Sequence, residues 1–130
     1  MPALFVNLPV KDLDRAKKFF GDLGFDFFGM TDDMASVVIS QDAQVMLLTE
    51  PTFAGYARTR VADPAETTQL ILVLGMGDPA EVDELMEKAL AAGATEIGEP
   101  ARAHGRYQRG FADLDGHQWS VLCLLPPEES

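Results

Sequence analysis

Residues 70–93 read LILVLGMGDPAEVDELMEKALAAG. The aliphatic run Leu70–Leu74 predicts a strand. Asp78, Pro79 and Glu81 then supply a helix N-cap, a proline at the first helical position and a capping-box glutamate. Val82, Leu85, Met86, Ala89 and Leu90 recur at spacings of three and four, which makes one apolar helical face, and Gly93 stops the helix. Beyond it, Thr95–Ile97, Gly110–Ala112 and Gln118–Leu124 predict three more strands, with Asp115-Gly116 as a hairpin turn before the last. The order is strand, helix, strand, strand, strand.

The same order occurs earlier in the chain. Leu4–Val10 alternates like a strand, and Asp12 can cap a helix whose apolar residues are Leu13, Ala16, Phe20 and Leu23, with Gly24 as its stop. Short strands come next around Phe25–Phe28, Ala35–Ser40 and Val45–Thr49. The sequence therefore predicts an internal repeat within one domain spanning residues 1–130: module one at about 3–49, a connector at 50–68 and module two at about 69–125. A βαβββ unit has a sheet face that it cannot bury alone. The expected fold is α+β, with the paired modules forming a curved mixed sheet around a cleft and the helices outside.

Composition narrows the function. The 130 residues, 47% hydrophobic, suffice for an ordinary core. A formal net charge of −11, from 21 acidic and 10 basic residues, repels phosphate backbones and anionic lipid, so neither a nucleic acid nor a membrane is an expected partner. The stretch Met1–Asn7 lacks the basic start and long apolar run expected of a secretory signal, and no run of eighteen apolar residues occurs. The one cysteine, Cys123, has no intrachain partner. A cytoplasmic setting is the expectation.

Several stretches carry a family resemblance: Phe5–Leu13 (FVNLPVKDL), Met46–Pro51 (MLLTEP), Val82–Gly93 (VDELMEKALAAG) and Phe111–Trp119 (FADLDGHQW). With the paired modules, they resemble the vicinal-oxygen-chelate superfamily, which includes glyoxalase I, bleomycin-resistance proteins and extradiol dioxygenases. The similarity is greatest to its branch of predicted lactoylglutathione lyases. The resemblance implies a homodimer, and in metal-dependent members a divalent ion held by His, Gln or Glu. Carried over, those ligand positions fall on Phe5, Leu47, Gln69 (or Ile71) and Ser120. Phenylalanine and leucine cannot coordinate a cation, so no metal or other cofactor is expected.

If the carried-over positions face the cleft, alternation brings Asn7, Thr49 and Gln118 with them. The result is an apolar pocket with uncharged hydrogen-bonding groups at Asn7, Thr49, Gln69, Gln118 and Ser120. No nucleophile–base pair falls on these positions. The segment Arg102–Arg109 reads as a loop whose three arginines can clamp an anion, with Tyr107 as its best ligand contact. His117 and Cys123 fall on the Trp119 face, opposite Ser120, as packing residues. The expected function is metal-independent binding or sequestration of a small organic molecule. Two alternatives stand beside it: a metal-dependent lyase using His104, Gln69 and a carboxylate such as Glu50, and a dimeric interaction module.

Overall fold

The structure, a computed structural model, describes residues 2–127. One compact unit ends at Ala62 and the next begins at Asp63. Among the described residues, no helix is long and apolar enough to cross a membrane.

The first unit contains β1 (Leu4–Val10), α1 (Leu13–Asp22), β2 (Asp26–Met30), β3 (Met34–Ser40), β4 (Ala43–Thr49) and α2 (Glu50–Tyr56). α1 begins where the sequence predicts: the Asp12 carboxylate accepts the Arg15 N–H at 3.0 Å. It ends in a Schellman turn at Gly24, whose φ is 100°. The Gly24 N–H donates to the Gly21 carbonyl at 3.0 Å and the Phe25 N–H to that of Phe20 at 3.2 Å. The strands lie in the order β1-β4-β3-β2, with β1 and β4 parallel and the other pairs antiparallel. Register aligns Leu8 with Leu47 and Val45 with Val37, so Leu8, Val10, Ala35, Val37, Val45 and Leu47 share one face, all buried. α1 packs on β3 and β4 with Leu13, Ala16, Phe19 and Phe20. The Phe19 and Phe20 rings meet edge to face, centroids 4.9 Å apart. The β2–β3 register breaks between Phe27 and Met30, around Gly29 at φ 77°.

Residues 50–68, expected as a plain connector, contain α2, which contacts β1 and β4. Its start is chemically ordinary, with Thr49 at the N-cap and a proline, Pro51, in the first turn.

The second unit contains β5 (Ile71–Gly75), α3 (Pro79–Ala91), β6 (Thr95–Glu96), β7 (Ala101–Ala103), β8 (Arg106–Ala112) and β9 (Gln118–Leu124). Asp78 caps α3 by accepting the Glu81 N–H at 2.8 Å, while the Glu81 carboxylate accepts the Gly77 N–H at 2.8 Å. The strand order is β5-β9-β8-β6, with β7 also paired to β8. Val82, Leu85, Met86 and Ala89 of α3 are buried, as are Leu74, Phe111, Trp119, Val121 and Cys123 of the sheet. Phe111 and Trp119 stack with centroids 6.1 Å apart.

Two turns shape this unit. In the turn before β9, the buried Asp113 carboxylate accepts the N–H groups of Asp115 at 3.0 Å and His117 at 2.9 Å, and the Trp119 indole N–H at 3.0 Å. Gly116 adopts φ 93° there, and a Cβ on it would lie 2.9 Å from the Ala65 Cα. The other turn corrects the sequence reading. Arg102–Arg109 is not a loop but most of a β7–β8 hairpin, reversing at His104 (φ 56°) and Gly105 (φ 76°). Two consecutive positive φ angles are the geometry of a tight I′-like turn.

The architecture is thus α+β, with two βαβββ-like mixed sheets, as the repeat predicts.

Candidate functional site

In each unit one helix, α1 or α3, packs on one face of the sheet, and several candidate residues lie on the opposite face. On the first sheet the face opposite α1 carries Phe5 and Asn7 of β1, aligned with Gln44 and Met46 of β4, and also the buried Ser36 and Leu48. Phe5 is 58% exposed, and Asn7 is also exposed. The Ser36 hydroxyl donates to the Gln44 amide oxygen on the same face.

The second sheet's uncovered face is more extensive. Register pairs Ile71 with Gln118, Val73 with Ser120, Gly75 with Leu122, Ser120 with Gly110, Leu122 with Gln108 and Leu124 with Arg106. Side chains on paired residues project to the same side. The face therefore presents an apolar strip, Ile71, Val73, Leu122 and Leu124, with Gln118 and Ser120 embedded in it. Ile71 is 49% exposed, Val73 56% and Leu124 76%. Gln118, Ser120 and Leu122 are half-buried. Gly75 and Gly110 leave their neighbours without a flanking side chain, and a Cβ on Gly75 would meet nothing within 4 Å.

Three expected cleft residues point elsewhere. Leu47 aligns with Leu8, not with Phe5, and is fully buried on the α1 face. The carried-over positions Phe5 and Leu47 therefore differ in parity and lie on opposite faces of the sheet, so they cannot both face one cleft. Thr49 shares the Leu47 parity at the strand end and donates its hydroxyl to Thr52 at 2.9 Å, in the first turn of α2. Tyr107 aligns with Cys123 and lies on the α3 side, where its hydroxyl donates to Asp83 at 2.6 Å. Gln69 lies exposed just before β5. Gln118 and Ser120 lie on one face of the second sheet, and Phe5 and Asn7 on the face of the first sheet opposite α1.

Tyr107 instead belongs to a charged clasp between α3 and the sheet. Arg109, its side chain 10% exposed, makes a two-pronged contact with Glu96, Nε to Oε2 and Nη2 to Oε1 each at 3.0 Å. Its Nη1 donates to Asp83 at 3.0 Å and lies 3.5 Å from Glu87. The Tyr107 hydroxyl is the largest cause holding the Asp83 carboxyl below its ordinary range; burial opposes it and Arg109 adds to it. Asp83 in turn pushes the phenol of Tyr107 upward, helped by burial. The Arg109 guanidinium is held more firmly charged, chiefly by Glu96. Burial pushes the Asp113 carboxyl up, against the opposing effect of His117 and the N–H groups that it accepts. Sequence reading misses the clasp, although alternation from Phe111 back to Tyr107 places both Arg109 and Tyr107 on the helix side.

The metal positions implied by the resemblance do not fit a cation. Phe5 and Ile71 have no donor atom, Leu47 is turned into the core, and Ser120 offers one neutral hydroxyl. Among the described residues, no group of three or more His, Cys, Asp or Glu could hold a metal ion.

Comparison with known proteins bears on the fold. Residues 3–40 match the family model described as bleomycin resistance protein-like N-terminal. No curated protein matches the chain. Among solved structures, a hypothetical protein from S. aureus is 28% identical, with 95% of this chain and 94% of that chain covered and a TM-score of 0.82. A glyoxalase/bleomycin resistance protein/dioxygenase family enzyme from Burkholderia phytofirmans PsJN is 18% identical, covering 96% of this chain and 100% of that chain at a TM-score of 0.79. TnmS3, an antibiotic binding protein from Streptomyces sp. CB03234, is 21% identical, covering 95% and 96% at a TM-score of 0.70. The fold is that of the glyoxalase/bleomycin resistance/dioxygenase proteins.

Proposed function

We propose that the chain is a member of the glyoxalase/bleomycin-resistance superfamily that binds or sequesters a small organic molecule without a metal. The observation that carries this reading is the uncovered face of the second sheet. It exposes Ile71, Val73 and Leu124 in one strip, with Gln118 and Ser120 as uncharged hydrogen-bonding groups among them. An apolar surface with a few oriented polar groups suits an organic ligand held mainly by burial. The fold shared with an antibiotic binding protein supports the same direction.

Native mass spectrometry of the purified protein tests the reading. The expected spectrum contains an adduct with an organic mass, or accepts one from a small-molecule library, and shows no stoichiometric metal. Stoichiometric Ni²⁺ or Zn²⁺ with turnover that depends on it would establish the alternative, a glyoxalase-type lyase of the lactoylglutathione branch. The exposed strip also favours a second reading, in which part of this surface docks a second copy of the chain. The same spectra report subunit number: a dimer is the expected mass, and a monomer at all concentrations would remove that reading.

A further inference from the structure

The β7–β8 hairpin carries three arginines, and the fold commits two of them to its α3 side. Arg109 is locked to Glu96 and Asp83, and the Arg102 guanidinium lies 4.8 Å from the Tyr107 ring centroid. Arg106 differs from both. Its register partners, Ala103 on β7 and Leu124 on β9, put it on the uncovered face. Its side chain has no hydrogen-bond or ion-pair partner among the described residues. The chain has 21 acidic side chains, yet no described one is placed against this cation.

Arg106 also borders a cavity. With Gln108, His104, Ala101 and Ala103 it lines a space of about 390 Å³, within the range of small-molecule sites. Gln108 and Arg106 stand beside Leu122 and Leu124 on β9, so the cavity lies at one end of the apolar strip. The two alanines form a wall of small side chains opposite the long donors. A guanidinium and a primary amide next to an apolar track match a molecule with an anionic head and an apolar body.

We infer that this cavity binds the carboxylate of an amphiphilic organic acid, with Arg106 as its specificity-determining residue. The planar guanidinium takes the carboxylate through two parallel N–H···O bonds, and the Gln108 amide donates a further one. The apolar body lies along Leu124, Leu122 and Val73. A net charge of −11 repels an approaching anion, so any preference for one must arise locally, at this cation. The inference rests on the binding reading above and adds the ligand's chemical class and orientation.

The test uses displacement of the neutral fluorescent probe N-phenyl-1-naphthylamine by 4-phenylbutyrate and by its uncharged amide. The acid is expected to displace the probe about ten-fold better than the amide, equivalent to ~1.4 kcal/mol. Arg106→Gln is expected to abolish that preference, read as the ratio of acid to amide displacement and so independent of the variant's own probe affinity. Arg58→Gln, an equal change of net charge at another exposed arginine, is expected to preserve it. Equal displacement by acid and amide overturns the inference and leaves the binding reading standing. An equal loss in Arg58→Gln and Arg106→Gln also overturns it, since the effect would then be that of the general field. If the probe does not bind, the apolar-site reading is what fails. Direct titration with 4-phenylbutyrate, monitored on the backbone amides of residues 101–108, then decides: saturable shifts there support the carboxylate site, and their absence removes it.

Discussion

α1 and α3 occupy the same place in the two repeats, yet they are fastened to their sheets by different forces. α1 buries aromatic area: Phe19 and Phe20 meet edge to face, Phe20 lies 6.4 Å from Phe25, and the ion pairs Lys17–Asp14 and Lys18–Asp22 run along the helix itself. α3 buries a similar stripe but adds Asp83 and Glu87, both reaching Arg109 of β8. Burial is non-directional and is not screened by ionic strength, whereas the clasp fixes position and responds to screening and pH. α3 therefore adds to its buried area a directional lock on β8.

Substitutions can break this contrast, and the largest effect belongs to the first unit. Phe20→Ala should cost about 3–5 kcal/mol in urea unfolding, and Leu47→Ala about 2–5 kcal/mol, with little dependence on ionic strength. A mild effect at Leu47 would mean that it faces outward with Phe5 after all. Arg109→Met should cost about 1–3 kcal/mol, because the carboxylates gathered around it lose their shared donor. That penalty should shrink in high salt, unlike the one at Phe20.

Tyr107→Phe should cost about 1 kcal/mol, and pH sharpens the comparison further. Asp83 titrates below its ordinary 3.8 when folded, so its stabilisation is complete above pH 3.8 and lost as pH falls through the lower folded value. Tyr107 titrates above its ordinary 10.0, so its stabilisation is complete below pH 10.0 and lost as pH rises through the raised value. Thermal melts recorded by circular dichroism should show a shallower acid limb for Asp83→Asn and a shallower alkaline limb for Tyr107→Phe. The smallest effect is expected at Val73→Ser, within about 0.5 kcal/mol, beside a cost of about 2 kcal/mol or more for its buried neighbour in Leu74→Ala.

The helices are legible in the sequence because their signals are local. Asp12, Gly24, Asp78 and Pro79 act within a turn or two, and each occupies the role that its spacing predicts. The strands depend on partners elsewhere in the chain, and there legibility is uneven. Gln118–Leu124 alternates cleanly, and Ser120 and Trp119 lie on opposite faces as that alternation predicts. Met46-Leu47-Leu48 is apolar throughout, with Leu47 and Leu48 both buried, so nothing local sets its parity. β8 is hidden by its charges: Arg109 reads as a loop residue until Asp83 and Glu96 are seen to neutralise it. The cavity at Arg106 is half visible, since three arginines stand out in an acidic chain, but only pairing with β9 separates the uncommitted one from the other two.

The bulge at Gly29 has a bearing on how the protein survives at high concentration. β2 lies at one end of its sheet and exposes Phe28 and Met30, which are 70% and 57% accessible. A straight, apolar outer strand is a template on which a foreign chain can crystallise its own hydrogen bonds. The break between Phe27 and Met30 interrupts regular pairing after two aligned residues, and a bulge of this kind bends and twists a strand, which works against continuous pairing at its outer edge. Deleting Gly29 would restore one-to-one pairing with β3 and lengthen the regular, apolar ladder that this edge presents.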